Sequence, residues 1–330
     1  MMALQDEFHF INKIKPKSIS QSGLIAGIGD DAALFRPTLE MEQIICMDTM
    51  VEGIHFTSNT LTPYQIGYKA LAVNISDIAA MGGIPTYYLV SIAIPKSWNE
   101  SDLLSIYEGM AMLADKYQMD LIGGDTVSIA ETLVITVTVL GEVEKGKHLL
   151  RSHAQPGDIV FVSGTVGDSA AGLSLLLEHG KDHLFTASEE ILIKKHQYPV
   201  PRVEIGRLLS TFDRVSLNDV SDGLASETNE IAKASSVTLL IDQDQIPFSE
   251  PVLSHFHDRA LELAMYGGED FELVGTMAAS DWDILQKKAK EHGYLLSKIG
   301  TVTDGPPSVL LNHKGELHKL EMKGYNHFTK

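Results

Sequence analysis

The apolar positions of this chain alternate between two periods. Residues 43–47 read as a strand that ends at Asp48. Thr62-Pro63 reads as an N-cap followed by proline at the first helical position. The helix it opens runs to about Met81 and is stopped by Gly82-Gly83. In it Leu71, Ile75 and Ile78 share one face, and Asn74 and Asp77 fall on a neighbouring one. Residues 87–94 predict a strand and residues 99–117 a second helix. Leu121-Ile122 predicts a short buried strand running into a loop, Gly123-Gly124-Asp125-Thr126, and residues 133–140 predict a further strand.

A charged stretch over 142–148 and the segment 151–158, with its Pro156-Gly157, mark a domain boundary. The division expected is 1–150 and 151–330. Beyond it, 159–163, 215–217, 238–241, 271–276 and 309–311 read as strands. Residues 202–212, 224–234 and 280–292 read as helices. The order predicts two α/β (or α+β) domains and leaves the strand order within each sheet open. No short-period repeat or low-complexity tract interrupts it.

Composition narrows the class. The chain has 330 residues, room for about two domains. Hydrophobic residues make up 44%, which places it among globular proteins with a sizeable core rather than disordered chains. Asp and Glu number 44 against 26 Lys and Arg, a formal charge of −18. That excess excludes a general binder of nucleic-acid backbones, though not of a phosphorylated small molecule. The single cysteine, Cys46, excludes an intrachain disulfide and a Cys-rich zinc site, and reads as a small buried hydrophobe. The first residues carry acids where a signal peptide needs bases, and no apolar run reaches the ~18 residues of a membrane span. A cytoplasmic protein is expected.

Two apparent nucleotide loops fail on charge. Gly27-Ile28-Gly29-Asp30-Asp31-Ala32 fits the loose dinucleotide fingerprint, but its two carboxylates would repel a pyrophosphate at a helix N-terminus. The segment 141–148 approaches a P-loop, yet ends in His148 where Ser or Thr must bind Mg²⁺ and carries two glutamates inside the loop. It reads as a solvated turn.

The informative pattern is the placing of acids. Asp30 and Asp31 follow Gly29; Asp48 ends a strand; Asp77 lies on a helix beside Asn74; Asp125 follows two glycines. Asp219 and Asp222 flank Ser221 before Gly223, and Glu269 and Asp270 follow Gly267-Gly268. Singly, each reads as a turn former or cap, as does Asp168. Together, without Lys or Arg close in sequence, they would repel unless a cation sits among them. All-oxygen donors point to Mg²⁺ or Mn²⁺ rather than zinc, the usual partners of substrate phosphates.

In this order the motifs resemble the thiamine-monophosphate kinase family. They are the segment from Gly27 through Asp30-Asp31 to Leu34, Asp48 to Phe56, Lys69 to Gly82 and Leu121 to Thr126 in the first half. In the second half they are Gly164 to Leu173, Asp219 to Leu224, Gly267 to Leu273 and Lys323 to Phe328. The resemblance is collinear over nearly the whole chain. It implies the fold of the aminoimidazole-ribonucleotide-synthetase superfamily, with an N-terminal domain that pairs with its copy in a homodimer and a C-terminal domain that closes over it. ATP then lies in a cleft without a P-loop, and thiamine monophosphate is the phosphoryl acceptor. Carried over position by position, Asp30, Asp48, Asp77, Asp125, Asp219 and Asp222 are implied Mg²⁺ ligands. Gly124, Asp125, Arg151 and Ser221 are implied ATP contacts, and His55, Glu269 and Tyr325 thiamine-phosphate contacts.

Side-chain chemistry agrees. Arg151 suits a phosphate fork, Tyr325 can stack on a cationic thiazolium ring, and Glu269 can answer that charge or the aminopyrimidine donors. Without the resemblance His55 reads as a turn histidine and Tyr325 as a docking aromatic. His9, His153, His179 and His196 read as surface or structural. Cys46 and Met47 stand where the family commonly has Ser and Thr, leaving only backbone carbonyls to serve a metal there. Direct in-line transfer is expected, since the acceptor oxygen is already anionic and no activated Ser or His nucleophile is evident. The competing readings are a sibling ATP-using synthetase, a metal-dependent phosphohydrolase and a silent binding protein.

Overall fold

The run Ile159-Val160-Phe161-Val162 is apolar at four successive positions, and all four side chains are buried. A strand can do this only when both faces of its sheet are covered. The computed structural model, which describes residues 7–29 and 31–322, shows that arrangement in the second of two units. The first unit holds the residues up to Ile78, Gly83–Gly146 and Gly180–Asp182; the second holds Ala79–Gly82, Lys147–His179 and the residues from His183 on.

In the first unit the elements run α1 (Glu7–Ile14), β1 (Leu24–Ala26), β2 (Leu34–Phe35), β3 (Met41–Val51), α2 (Pro63–Ala80), β4 (Ile84–Pro95), α3 (Glu100–Tyr117), β5 (Asp120–Ile129) and β6 (Val134–Glu144). β3–β6 form a four-stranded sheet in the order β3-β6-β4-β5, antiparallel except for the β4–β5 pair that flanks α3. The expected N-cap is present as a capping box: the Thr62 hydroxyl accepts from Gln65 N at 3.3 Å, and Gln65 Oε1 accepts from Thr62 N at 2.8 Å. Asn99 caps α3 through its side-chain oxygen, which accepts from Asp102 N at 3.0 Å. α2 is buried nearly all round, with Leu71, Ile75 and Ile78 but also Lys69, Asn74 and Ser76 fully buried.

The sequence expectation differs from the structure at β5. Gly123-Gly124-Asp125-Thr126 is not a loop; the strand runs through it to Ile129. A β-bulge lies before Gly123, and the Gly124 backbone approaches Val90 O so closely that a Cβ would stand 2.0 Å from it. The glycine pair reflects a tight strand contact rather than a turn.

The second unit contains β7 (Ile159–Ser163), α4 (Asp168–His179), α5 (Ala187–Gln197), α6 (Val203–Leu209), β8 (Val215–Asp219), α7 (Leu224–Ser235) and β9 (Thr238–Asp242). These are followed by α8 (Glu250–Phe256), α9 (Ala260–Tyr266), β10 (Leu273–Met277), α10 (Trp282–Glu291), β11 (Leu296–Thr303), β12 (Ser308–His313) and β13 (Glu316–Leu320). Its seven strands lie in the order β13-β12-β9-β11-β7-β10-β8, with only β9–β12 parallel. Val160 and Val162 pack with Leu224, Ile231 and Ala264 of α7 and α9. Ile159 and Phe161 pack with Ile205, Leu209, Trp282 and Leu285 of α6 and α10. The molecule is therefore the two-domain α/β chain the periodicity predicts. α4, α5, α8 and α9 lie outside the predicted helices.

The loop 267–272 is pinned to the start of α4. Asp270 accepts backbone N–H groups of Gly167 (2.6 Å) and Ser169 (3.0 Å). Burial, with Asp168 and Glu272 nearby, pushes its carboxyl up to about 8 against the lowering effect of those donors. The folded chain thus keeps a proton that the unfolded chain gives up near pH 4. Asp270 contributes stability below that range, and the contribution is lost as pH rises toward 8. In urea titrations at pH 5, 6.5 and 8, Asp270→Asn is expected to flatten the decline of stability with pH, even though Asn is the poorer acceptor. An unchanged slope would assign the decline to other groups.

Gly67 of α2 and Gly109 of α3 mark a close helix crossing. A Cβ at Gly67 would stand 1.8 Å from Ile106 O, and one at Gly109 1.9 Å from Tyr64 O. Helix propensity alone predicts that Ala at either site stabilises by ~1 kcal/mol. Overpacking opposes it by ~1–3 kcal/mol or more, because backbone must move. Gly67→Ala and Gly109→Ala are each expected to lower the melting temperature; a rise would show that the crossing gives way freely.

Candidate active site

Within the first unit, Asp48 and Asp77 come together. Asp48 lies on the α2 side of β3, as does Cys46, whose thiol donates to Asn74 O at 3.3 Å. The carboxyls of Asp48 and Asp77 are within hydrogen-bonding reach of one another. Burial raises the Asp48 carboxyl above its ordinary value, and the contact with Asp77 and the nearby His55 work the other way. His55 sits in a tight turn after Gly53 (φ +83°). Its Nδ1 accepts from Val51 N at 3.0 Å, which places the ring hydrogen of the neutral form on Nε2. The turn reading of His55 is right, and the turn brings it near Asp48.

Asp125 does not join that pair. Side chains of cross-strand partners share a face. The register Thr49↔Thr136, Thr136↔Ser91 and Ser91↔Asp125 therefore puts Asp125 on the face of Thr49, opposite that of Asp48. The Thr49 and Thr136 hydroxyls confirm the register at 2.8 Å. Met47 lies on this second face too and is 64% exposed, whereas Cys46 is half-buried against α2. The two residues standing in place of Ser and Thr thus point to opposite sides of the sheet. Asp30 lies outside the described residues.

In the second unit the two acidic glycine motifs pack directly on each other. β8 ends at Asp219, and the turn beyond it is held by backbone hydrogen bonds from Val220 N to Glu272 O (2.7 Å), Phe271 N to Val220 O (2.9 Å) and Glu269 N to Ser221 O (2.7 Å). A Cβ at Gly268 would stand 2.4 Å from Ser221 O, so the approach requires glycine there. Glu269 and Phe271 adopt left-handed backbone, φ +69° and +50°, an uncommon conformation for non-glycine residues that the surrounding hydrogen bonds hold in place. Asp219 is buried, and Ser221, Asp222 and Glu269 are half-buried. Tyr325 lies outside the described residues.

Behind this turn stands a residue the sequence reading missed. Glu227, buried in the first turn of α7, accepts from Ser221 Oγ (3.1 Å), Asp222 N (3.1 Å) and Asn218 Nδ2. Burial and the charges of Asp219 and Asp222 push its carboxyl up to about 7. Asn218 Oδ1 in turn accepts from Arg151 Nε at 3.0 Å. Arg151, Asn218, Glu227 and the Asp219–Asp222 turn are thus one connected network. An acid in the first turn of a helix reads from sequence as a partner of the helix dipole, which conceals this role.

A second network lies beneath Glu269. Glu272 is buried and paired with Arg202, whose Nε donates to Oε2 at 2.7 Å, and it accepts from Ser163 Oγ at 2.5 Å. Asp168 is also buried and accepts from the hydroxyls of Thr165 and Ser249, both at 2.5 Å. It occupies the first turn of α4, close to the capping role expected of it.

The two family models that match this chain are "AIR synthase related protein, N-terminal domain" over residues 29–143 and "AIR synthase related protein, C-terminal domain" over residues 155–311. The thiamine-monophosphate kinase of Bacillus subtilis is 52% identical over 324 residues, covering 98% of this chain and 99% of its own. The crystal structure of thiamine-monophosphate kinase from Stenotrophomonas maltophilia superposes with a TM-score of 0.86 at 36% identity, over 96% of this chain and 99% of that one. The structure of AaThiL complexed with AMPPCP and TMP superposes with a TM-score of 0.78 at 31% identity, over 99% of each chain. Matched by both family models and 52% identical over 98% of its length to a thiamine-monophosphate kinase, this chain belongs to the thiamine-monophosphate kinase family of AIR synthase related proteins.

Proposed function

We propose that this protein is an ATP-dependent kinase that phosphorylates thiamine monophosphate to thiamine diphosphate by direct in-line transfer, assisted by several Mg²⁺ ions, in thiamine diphosphate biosynthesis. The reading is carried by the end-to-end likeness to a relative that holds AMPPCP and TMP together. In this reading Gly124, Asp125, Arg151 and Ser221 contact ATP, and His55, Glu269 and Tyr325 contact the thiamine phosphate. Asp30, Asp48, Asp77, Asp125, Asp219 and Asp222 hold Mg²⁺.

The donor set fits that ion. All six side chains offer hard carboxylate oxygens. Among the described residues no three His, Cys, Asp or Glu side chains close into a protein-only metal cage. Mg²⁺ is commonly held by one or two carboxylates with substrate phosphates completing its shell, and pairs such as Asp48 with Asp77 suit this. Bound there, Mg²⁺ would neutralise phosphate charge and polarise the transferred phosphoryl group.

The chain's own residues have the remaining work. Arg151 spends its Nε on Asn218, which orients the guanidinium and leaves its Nη groups for phosphate oxygens. The hydrogen-bonded Asp219–Asp222 turn supplies carboxylates whose positions do not have to reorganise during transfer. The acceptor is an anionic phosphate oxygen, so no strong general base is required, and the rate depends on bringing two phosphates into line.

The bare sheet face of the first unit supports pairing with a second copy. Ile45 (70% exposed), Met47, Val127 and Ile129 lie on it around the Thr49–Thr136 hydroxyl contact. An exposed apolar patch on an otherwise acidic protein suits a self-complementary contact. The single cysteine and the absence of any helix, among the described residues, long and apolar enough to cross a membrane suit a cytoplasmic setting.

Purified protein given MgATP and thiamine monophosphate is expected to form thiamine diphosphate in step with ADP. ADP without thiamine diphosphate would favour a phosphohydrolase instead. Asp48→Asn and Asp222→Asn are each expected to lower kcat by about 10²-fold or more at saturating Mg²⁺, the scale of losing one preorganised electrostatic group. Near-normal turnover would remove them from the ligand set. Ile45→Glu is expected to shift the protein from dimer to monomer in sedimentation velocity; an unchanged species would move the interface elsewhere.

A further inference from the structure

The backbone of Arg151 is anchored on both sides of its peptide carbonyls. Its own carbonyl accepts from the hydroxyls of Ser216 and Ser235, both at 2.8 Å. The preceding carbonyl, of Leu150, accepts from Leu217 N at 3.3 Å. Arg151 itself is exposed, and its Nε donates to Oδ1 of Asn218, a residue only 2% exposed. Among the described residues the Nη groups have no partner. With the backbone fixed, the direction of the guanidinium depends on one buried amide.

An amide can face either way, so something must fix which end meets Arg151. Asn218 Nδ2 donates to Glu227 Oε2, while Glu227 Oε1 accepts from Ser221 Oγ and from Asp222 N, each at 3.1 Å. A carboxylate only accepts and an Nε–H only donates, so one orientation of the Asn218 amide satisfies both neighbours. The same rule gives the Ser221 hydroxyl a polarity. Its hydrogen is spent on Glu227, and it has only lone pairs to offer elsewhere. Three donors thus converge on one carboxylate that is 5% exposed. Through it the polarity of Ser221, of Asn218 and, one bond further, of Arg151 is set.

We propose that Glu227 is a positioning residue for ATP recognition: by accepting from Asn218 and Ser221 it fixes the direction in which Arg151 offers its Nη groups, and the Ser221 hydroxyl its lone pairs, to ATP. The inference rests on the reading of Arg151 and Ser221 as ATP contacts and adds to it a residue that acts without touching ATP. A carboxylate that merely filled space could be replaced by its isosteric amide. Here the amide fails, because one amide oxygen cannot answer donors on both sides. With its oxygen toward Ser221, its NH₂ opposes Asn218 Nδ2, and Asn218 must turn and set that NH₂ against Arg151 Nε. With its oxygen toward Asn218, its NH₂ opposes Asp222 N–H, which has no way to turn.

The test is calorimetric binding of AMPPCP with Mg²⁺, set beside KM for thiamine monophosphate. Glu227→Gln is expected to weaken AMPPCP binding about tenfold or more, the scale of one hydrogen bond to a charged group, with KM for thiamine monophosphate within twofold. Adding Asn218→Asp to Glu227→Gln restores the donor–acceptor order. The carboxylate at 218 accepts from the new amide and from Arg151 Nε, and the amide oxygen at 227 faces Ser221 and Asp222 N. This double variant is expected to bind AMPPCP within threefold of the natural protein. Asn218→Asp alone, which sets two carboxylates against each other, should not. A double variant no better than Glu227→Gln, or equal losses toward both substrates, would overturn the proposal. Arg151→Ala separates the two layers. If it leaves AMPPCP affinity unchanged, the reading of Arg151 as an ATP contact fails and the role of Glu227 with it. If it weakens binding while Glu227→Gln does not, only the Glu227 inference fails. Should Glu227→Gln not fold, as judged by its thermal melt, the double variant and Asn218→Ala carry the test: the first must bind like the natural protein and the second at least fivefold more weakly.

Discussion

Glu227 stands buried behind a turn that carries Asp219 and Asp222, and burial together with the charges of these two acids pushes its carboxyl up to about 7. Such a cluster is unfavourable unless each charge is answered. Here the answers come largely from neutral donors: a backbone N–H at Asp222, a hydroxyl at Ser221, an amide at Asn218. Arginine enters only through Asn218, one residue removed. Glu227 is thereby satisfied from within. The loop 267–272 depends on the same turn, because its backbone is hung from Val220 and Ser221. Losing the turn would release both acidic motifs of the second unit at once.

The acids of this unit are compensated in three different ways, and the difference sorts structure from site. Glu272 is paired with Arg202 and is almost fully buried, which leaves it no role toward a ligand. Asp270 is bound by two backbone N–H groups and favours its neutral form up to about pH 8. Asp219, Asp222 and Glu269 occupy the remaining positions, with Asp222 and Glu269 held by backbone hydrogen bonds to Glu227 and Ser221. In the proposed function it is this last group that meets a cation. This is the physical content of the contrast between an acidic protein and an anionic substrate.

Sequence reading recovered the elements whose periodicity is unambiguous. The Thr62-Pro63 start of α2, the strand at 159–163 and, after Val203, α6, β8, α7, β9, β10, α10 and β12 were legible because each rests on local chemistry, whereas α8, α9, β11 and β13 were not. Gly123-Gly124 misled, since two glycines before an acid look like a turn when their cause is the close approach of Val90 O across a bulge. The motifs around Asp219 and Gly267 could be named from sequence, but not their mutual packing, which is a long-range contact between β8 and the segment before β10. Glu227 was invisible for a different reason. It sits in the first turn of a helix, where its charge has an ordinary explanation, and only its burial and hydrogen bonds show that it is tied to the Asp219–Asp222 turn.

The same reasoning bears on the first unit. Asp48 and Asp125 lie on opposite faces and on opposite edge strands of the sheet. Asp48 faces α2 and Asp77, where burial raises its carboxyl. Asp125 lies with Ser91, Thr136 and Thr49 on the face that carries Ile45 and Met47. A single ion close to Asp48 and Asp77 therefore does not reach Asp125 through the sheet. If all six aspartates serve metals, they must serve more than one, and Asp125 must do so from the β5 side of the sheet, where that strand is the edge. On that condition the register alone calls for more than one ion, independently of any appeal to the substrate's charge.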